Sequence, residues 1–134
     1  YRRITAINLN TGEHEWQIPL GKGPSDHPAI AHLNLGDLGS VFTDVVAEGG
    51  VLITKSLVIS YLAAKDELEP EDNGSILVAF DKASGEKAGE VYVEQRLHGP
   101  VMSYEHDSVQ YLAVAGGGRA DDAELIVFKL GNAQ

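Results

Sequence analysis

Ala6-Ile7-Asn8-Leu9-Asn10-Thr11-Gly12-Glu13-His14-Glu15-Trp16 returns 73 positions on, from Ala79, as Ala79-Phe80-Asp81-Lys82-Ala83-Ser84-Gly85-Glu86-Lys87-Ala88-Gly89. In each copy a small and an apolar residue end an extended run, and a short amide or acid (Asn8, Asp81) opens a tight turn. Thr11 or Ser84 closes the turn through its hydroxyl, and Gly12 or Gly85 supplies a positive φ before the chain leaves again. Each copy therefore predicts a β-hairpin, and the spacing assigns one sheet to each copy.

Working outward, extended segments dominate and no helix is expected. Arg3 to Leu9 alternates and is rich in strand formers, and Glu15 to Pro19 pairs with it across the Thr11-Gly12 turn. Residues 20–50 read as a long loop carrying Pro24, Pro28 and several glycines, with a short extended piece possible at Val41 to Ala47. Val51 to Thr54 and Leu57 to Tyr61 read as two short buried strands. A run of acids from Asp66 to Asp72 faces water, and Ile76 to Phe80 with Lys87 to Val93 makes the second copy of the hairpin. Pro100 to Tyr104 and Gln110 to Ala115 form a further hairpin across His106-Asp107-Ser108, and Glu124 to Leu130 adds one more strand.

Four antiparallel strands in sequence make the blade of a β-propeller. The fold expected is all-β, a partial propeller of about two to two-and-a-half four-stranded antiparallel blades. Residues 1–19 are the outer half of one blade, 20–50 a long loop, 51–93 a complete blade and 94–134 three strands of a closing blade. Tyr1 stands almost at the start of the first strand, so the chain reads as part of something longer.

Composition excludes several functions. At 134 residues and 43% apolar content the chain suits one globular mass, and no run of eighteen apolar residues is present to cross a membrane as a helix. A formal charge of −10 opposes binding to nucleic-acid phosphates or anionic lipid. With no cysteine there is no disulfide, thiolate metal site or cysteine nucleophile.

The run from Arg3 to Gly21, with Gly50 to Leu57, Ala79 to Glu86, Gly99 to Tyr104 and Gln110 to Gly118 in that order, resembles the C-terminal region of quinoprotein dehydrogenases that use pyrroloquinoline quinone (PQQ), of the membrane glucose dehydrogenase type. The resemblance implies a tryptophan-docking motif in which the indole of one blade packs on the turn of a neighbour, so that Thr11, Gly12, Trp16, Asp81, Ser84 and Gly85 are structural residues. Trp16 takes the docking position in the first copy, and Gly89 replaces it in the second. An ordinary core aromatic is the alternative reading of Trp16.

Such enzymes oxidise an alcohol or a sugar, with PQQ accepting electrons and a Ca2+ ion polarising its carbonyl. The ion ligands, general base and ring-stacking tryptophan of the family belong to earlier blades, so no catalytic residue and no metal ligand is assigned to this chain, and the chain alone is expected to be inactive. The resemblance places 20–50, 62–75 and 116–123 on the cofactor face. Gly116, Gly117, Gly118 and Arg119 are candidate cofactor-binding residues, with Arg119 facing a quinone carboxylate or simply solvated. Asp26 and His27 are candidates for the substrate-face loop. The implied partners are the rest of the propeller or a second copy, a sugar or alcohol substrate, and a membrane or quinone electron acceptor; the implied location is periplasmic or extracellular.

Other chemistry fails on spacing. Glu69, Glu71, Asn73 and Gly74 imitate the start of a calcium loop, but Phe80 stands where a bidentate acid is needed. His14, His27, His32, His98 and His106 lack paired ligand spacing and read as surface histidines. The triglycine is followed by Arg119 and acids rather than by a lysine and a helix start, against a phosphate cradle, and no acid-oriented triad can be argued around Ser103, Ser108 and His106. Two classes of function remain: a piece of a quinoprotein dehydrogenase, or a noncatalytic propeller of the same repeat type that binds proteins as a scaffold.

Overall fold

The computed structural model describes residues 2–21, 23, 25, 27–36, 50–63, 74–117 and 123–130. Among them the chain is built from nine strands and a single 3-10 turn at Ala31–Leu33. The strands are β1 (Arg3–Ile7), β2 (His14–Pro19), β3 (Leu52–Ile53), β4 (Leu57–Ala63), β5 (Ser75–Asp81), β6 (Lys87–Val93), β7 (Leu97–His106), β8 (Val109–Gly116) and β9 (Glu124–Lys129). They form three antiparallel sheets in strictly sequential order, β1-β2, β3-β4-β5-β6 and β7-β8-β9. Every connection is thus between neighbours, the arrangement that the recurring turn chemistry demands. No helix among the described residues is long and apolar enough to cross a membrane. The extended piece expected at Val41 to Ala47 and the acidic run from Asp66 to Asp72 lie outside the described residues.

The chain divides into two compact units, one of Tyr1–Asp44 with Ala83–Gly85, the other of Val45–Lys82 with Glu86–Gln134. In the first, β1 and β2 place Ile4 opposite Ile18 and Ala6 opposite Trp16, so the half-buried apolar side chains share one face. The opposite face is polar, with Gln17 Nε2 donating to Thr5 Oγ1 at 2.8 Å.

The second unit contains the core. Alternate residues of β4 and β5 (Ile59, Tyr61, Leu77) and Val93 of β6 pack with Leu97, Val101, Leu112 and Val114 of the third sheet. Tyr61, Leu97 and Val114 are essentially fully enclosed. Each such side chain contributes on the order of 1.5–3 kcal/mol by leaving water, and the period of two in β4, β5 and β8 is what gathers them on one face.

A buried and a part-buried polar contact join these sheets. The Leu97 amide donates to Ser75 Oγ at 2.9 Å, with Ser75 only 1% exposed, and the Tyr61 hydroxyl donates to the Gly99 carbonyl at 2.9 Å. No buried side-chain nitrogen or oxygen is left without a partner among the described residues, so the core pays no unsatisfied-polar penalty there. β6 closes one edge of its sheet with solvent-facing residues, including a Lys87–Glu90 ion pair of 3.3 Å, a composition that discourages edge-on pairing.

Candidate functional site

The two copies of the opening motif share a closing hydrogen bond, a register break and a glycine conformation. Asn8 N–H donates to Glu13 O at 2.9 Å in the first copy, and Asp81 N–H donates to Glu86 O at 2.8 Å in the second. Ala6 stands opposite Trp16 and Ala79 opposite Gly89, and in both hairpins the register breaks at the next residue, between Ala6 and Ile7 and between Ala79 and Phe80. Gly12 has φ +77° and Gly85 +75°. A backbone in that region costs an L residue roughly 1–2 kcal/mol, which is why glycine occupies both positions.

In the first corner Asn8 Oδ1 accepts from the amides of Asn10 (2.9 Å) and Thr11 (3.3 Å), and Thr11 Oγ1 accepts from the Glu13 amide at 3.3 Å. The short amide and the hydroxyl therefore stand in for backbone partners within the turn. In the second corner the Lys82 amide donates to Ser56 O at 2.8 Å and Lys82 Nζ to Thr54 O at 3.3 Å, which ties the turn to the β3–β4 connection.

The corners differ in what lies against them. A Cβ built on Gly12 would meet nothing within 4 Å, whereas one on Gly85 would lie 2.8 Å from Cδ2, 2.9 Å from Cε3 and 3.1 Å from Cγ of Trp16. Gly85 is accordingly buried within an otherwise exposed turn, and the half-buried indole of Trp16 packs directly on its α-carbon. At Gly89, the position matching Trp16 in the repeat, a Cβ would meet open space.

The loop candidates are placed as follows. Gly116 ends β8 and is buried, and a Cβ there would come 2.5 Å from Ile126 Cδ1. The Gly117 amide donates to Arg96 O at 3.0 Å, and His98 Nε2 bonds the Gly117 carbonyl. Gly118 and Arg119 lie outside the described residues, as does Asp26. His27 is exposed and serves its own turn: its Nδ1 accepts from the Ala29 amide at 3.2 Å and its carbonyl from the amides of Ile30 and Ala31, leading into the 3-10 turn. His14, His32 and His106 are exposed too, while His98 is half-buried through its bond to Gly117.

Among the described residues no three His, Asp or Glu converge as metal ligands, and the amide and carbonyl of Gly117 are already engaged.

Sequence reasoning missed the Ser75–Leu97, Tyr61–Gly99 and His98–Gly117 bonds. Each joins residues far apart along the chain, and the only signal was a hydroxyl or imidazole inside an otherwise apolar strand. A family model, described as "PQQ: Glucose/ethanol/alcohol dehydrogenase, beta-propeller domain", matches residues 1–112. No curated protein and no solved structure matches the chain.

Proposed function

With the chain belonging to the glucose/ethanol/alcohol dehydrogenase β-propeller family, we propose that it is a C-terminal propeller segment of a PQQ-dependent dehydrogenase acting on sugars or alcohols, of the glucose type. The observation that carries this is the family match together with the doubled corner, in which hydrogen bonds, register breaks and glycine φ values coincide in both copies. The segment's part is architectural. It supplies sheets and corner contacts such as Trp16 on Gly85, and loops at 20–50, 62–75 and 116–123 that border the cofactor side.

In the intact enzyme PQQ with Ca2+ supplies the two-electron oxidation, and the groups that hold them and remove the substrate proton come from elsewhere in the protein. On this reading Gly116 to Arg119 borders the quinone, Asp26 and His27 border the substrate, and the protein works in the periplasm, passing electrons to a membrane or quinone acceptor.

The test is reconstitution of the full-length protein that carries this segment with PQQ and Ca2+, followed by visible absorbance, thermal stability and turnover of a sugar and alcohol panel with an artificial electron acceptor. The proposal expects a quinone absorbance shift, stabilisation, and turnover that is greatest with glucose-type sugars. Absence of all three overturns it and leaves the protein-binding scaffold.

A further inference from the structure

We propose that His98 is a positioning residue that fixes the direction in which the chain leaves β8 at Gly116 and Gly117; the inference rests on the dehydrogenase reading, in which this exit borders the quinone. The ladder between β7 and β8 ends at the pair of Leu97 and Gly116, so sheet pairing does not aim the chain beyond that point. Gly117 has φ +122°, a conformation that suits glycine, and it has no side chain by which to be held. Its direction is set by bonds. The Gly117 amide donates to Arg96 O at 3.0 Å, and the Gly117 carbonyl accepts from His98 Nε2. Gly116 beside it is covered by Ile126 of β9, whose Cδ1 would stand 2.5 Å from a Cβ built there. With its amide engaged inside the chain, Gly117 serves as a fixed point rather than as a donor to a ligand.

The residues around His98 make it a rigid handle. Leu97 is fully enclosed and its amide is tied to Ser75 of β5, while the Gly99 carbonyl is tied to the Tyr61 hydroxyl of β4. His98 is therefore flanked on both sides by residues anchored to the neighbouring sheet. The register of β7 breaks just after it, with Gly99 at φ +70°, and an irregularity of this kind re-aims a side chain. His98 pairs with Ala115, which precedes Gly117 by two residues and so shares its side of the strand. Ala115 presents only a methyl group there, and the half-buried imidazole reaches along the diagonal to the Gly117 carbonyl. A carbonyl oxygen only accepts, so Nε2 carries the proton, and in the neutral ring Nδ1 carries none. Gly117 is itself buried, so removing this donor leaves its carbonyl short of a partner in a place that water reaches poorly.

The experiment compares wild type, His98→Phe, which keeps a ring but loses the donor, and His98→Gln, which returns an N–H at similar reach. In this chain, long-range proton–nitrogen NMR reads the tautomer of His98 and amide hydrogen exchange reads Gly117, with circular dichroism confirming the fold of each variant. The same variants of the full-length protein that carries this segment are titrated with PQQ in the presence of Ca2+. The wild type is expected in the Nε2–H tautomer. His98→Phe should speed exchange of the Gly117 amide and weaken PQQ binding, each by roughly two- to ten-fold, the worth of one hydrogen bond. Turnover at saturating PQQ should stay unchanged, and His98→Gln should restore both exchange and affinity. An Nδ1–H tautomer, wild-type exchange in His98→Phe, or a folded His98→Gln that behaves like His98→Phe overturns the proposal, as does equal PQQ affinity in all three. If the wild-type protein binds no PQQ, the dehydrogenase reading fails and with it the role toward the quinone, whereas tautomer and exchange still decide whether His98 holds Gly117.

Discussion

Replacing Gly85 by alanine, with Gly12→Ala as its internal control, isolates the contact between Trp16 and the second corner. Both glycines have the same backbone, φ +75° and +77°, so each substitution carries the left-handed penalty of about 1–2 kcal/mol, offset by about 0.4–1 kcal/mol from the stiffer unfolded chain. Only at Gly85 does the new methyl carbon fall 2.8 Å from an indole carbon; at Gly12 it meets nothing within 4 Å. Forcing a methyl into a packed contact adds about 1–3 kcal/mol, so Gly85→Ala should exceed Gly12→Ala by that amount. The assay is urea unfolding followed by tryptophan fluorescence, since Trp16 is the single tryptophan and reports the corner directly. Gly85→Ala is expected to red-shift the native emission and lower the midpoint, while Gly12→Ala lowers the midpoint less and leaves the emission in place. Equal losses with unchanged emission in both would refute the contact.

Three further outcomes are expected. Ser75→Ala removes the acceptor of the Leu97 amide within the core and should cost about 1–3 kcal/mol in thermal or urea unfolding, the price of a buried donor left unpaired. Tyr61→Phe leaves the Gly99 carbonyl without its hydroxyl donor and should cost about 1 kcal/mol in the same assay. Ser108→Gly works in the opposite direction. Asp107 and Ser108 hold φ +48° and +60° in the β7–β8 turn, where glycine is preferred, so relief of strain should stabilise by about 0.5–1 kcal/mol, read as a rise in Tm.

The corners were legible because their chemistry is local. Asn8, Thr11 and Gly12 act within six residues of one another, from Asn8 to Glu13, and the same is true of the Asp81 to Glu86 turn. Strand ends were less legible where side chains competed for the backbone. β3 stops at Ile53 rather than Thr54, because Thr54 Oγ1 accepts the Leu57 amide at 2.9 Å and the Thr54 amide donates to Leu57 O, closing a turn. β7 begins at Leu97, ahead of the expected Pro100. The register jumps between His98 and Met102, and Gly99 takes φ +70° there, so the strand passes a proline that has no amide to give. Of the loop candidates, His27 and Gly117 proved to be engaged by their own backbone surroundings. Such bonds depend on how the chain returns on itself, which residue type alone does not encode.

The central claim is that Thr11-Gly12 and Ser84-Gly85 are one corner used twice, with an indole seated on the second. Proton NMR of the folded chain tests it most directly, through the Hα protons of Gly12 and Gly85 and their cross-relaxation with the Trp16 ring. The expected result is strong Trp16–Gly85 cross-peaks and an upfield ring-current shift of Gly85 Hα, with Gly12 Hα unshifted and without such peaks. Matching shifts for the two glycines, with no Trp16–Gly85 cross-peak, would contradict the account.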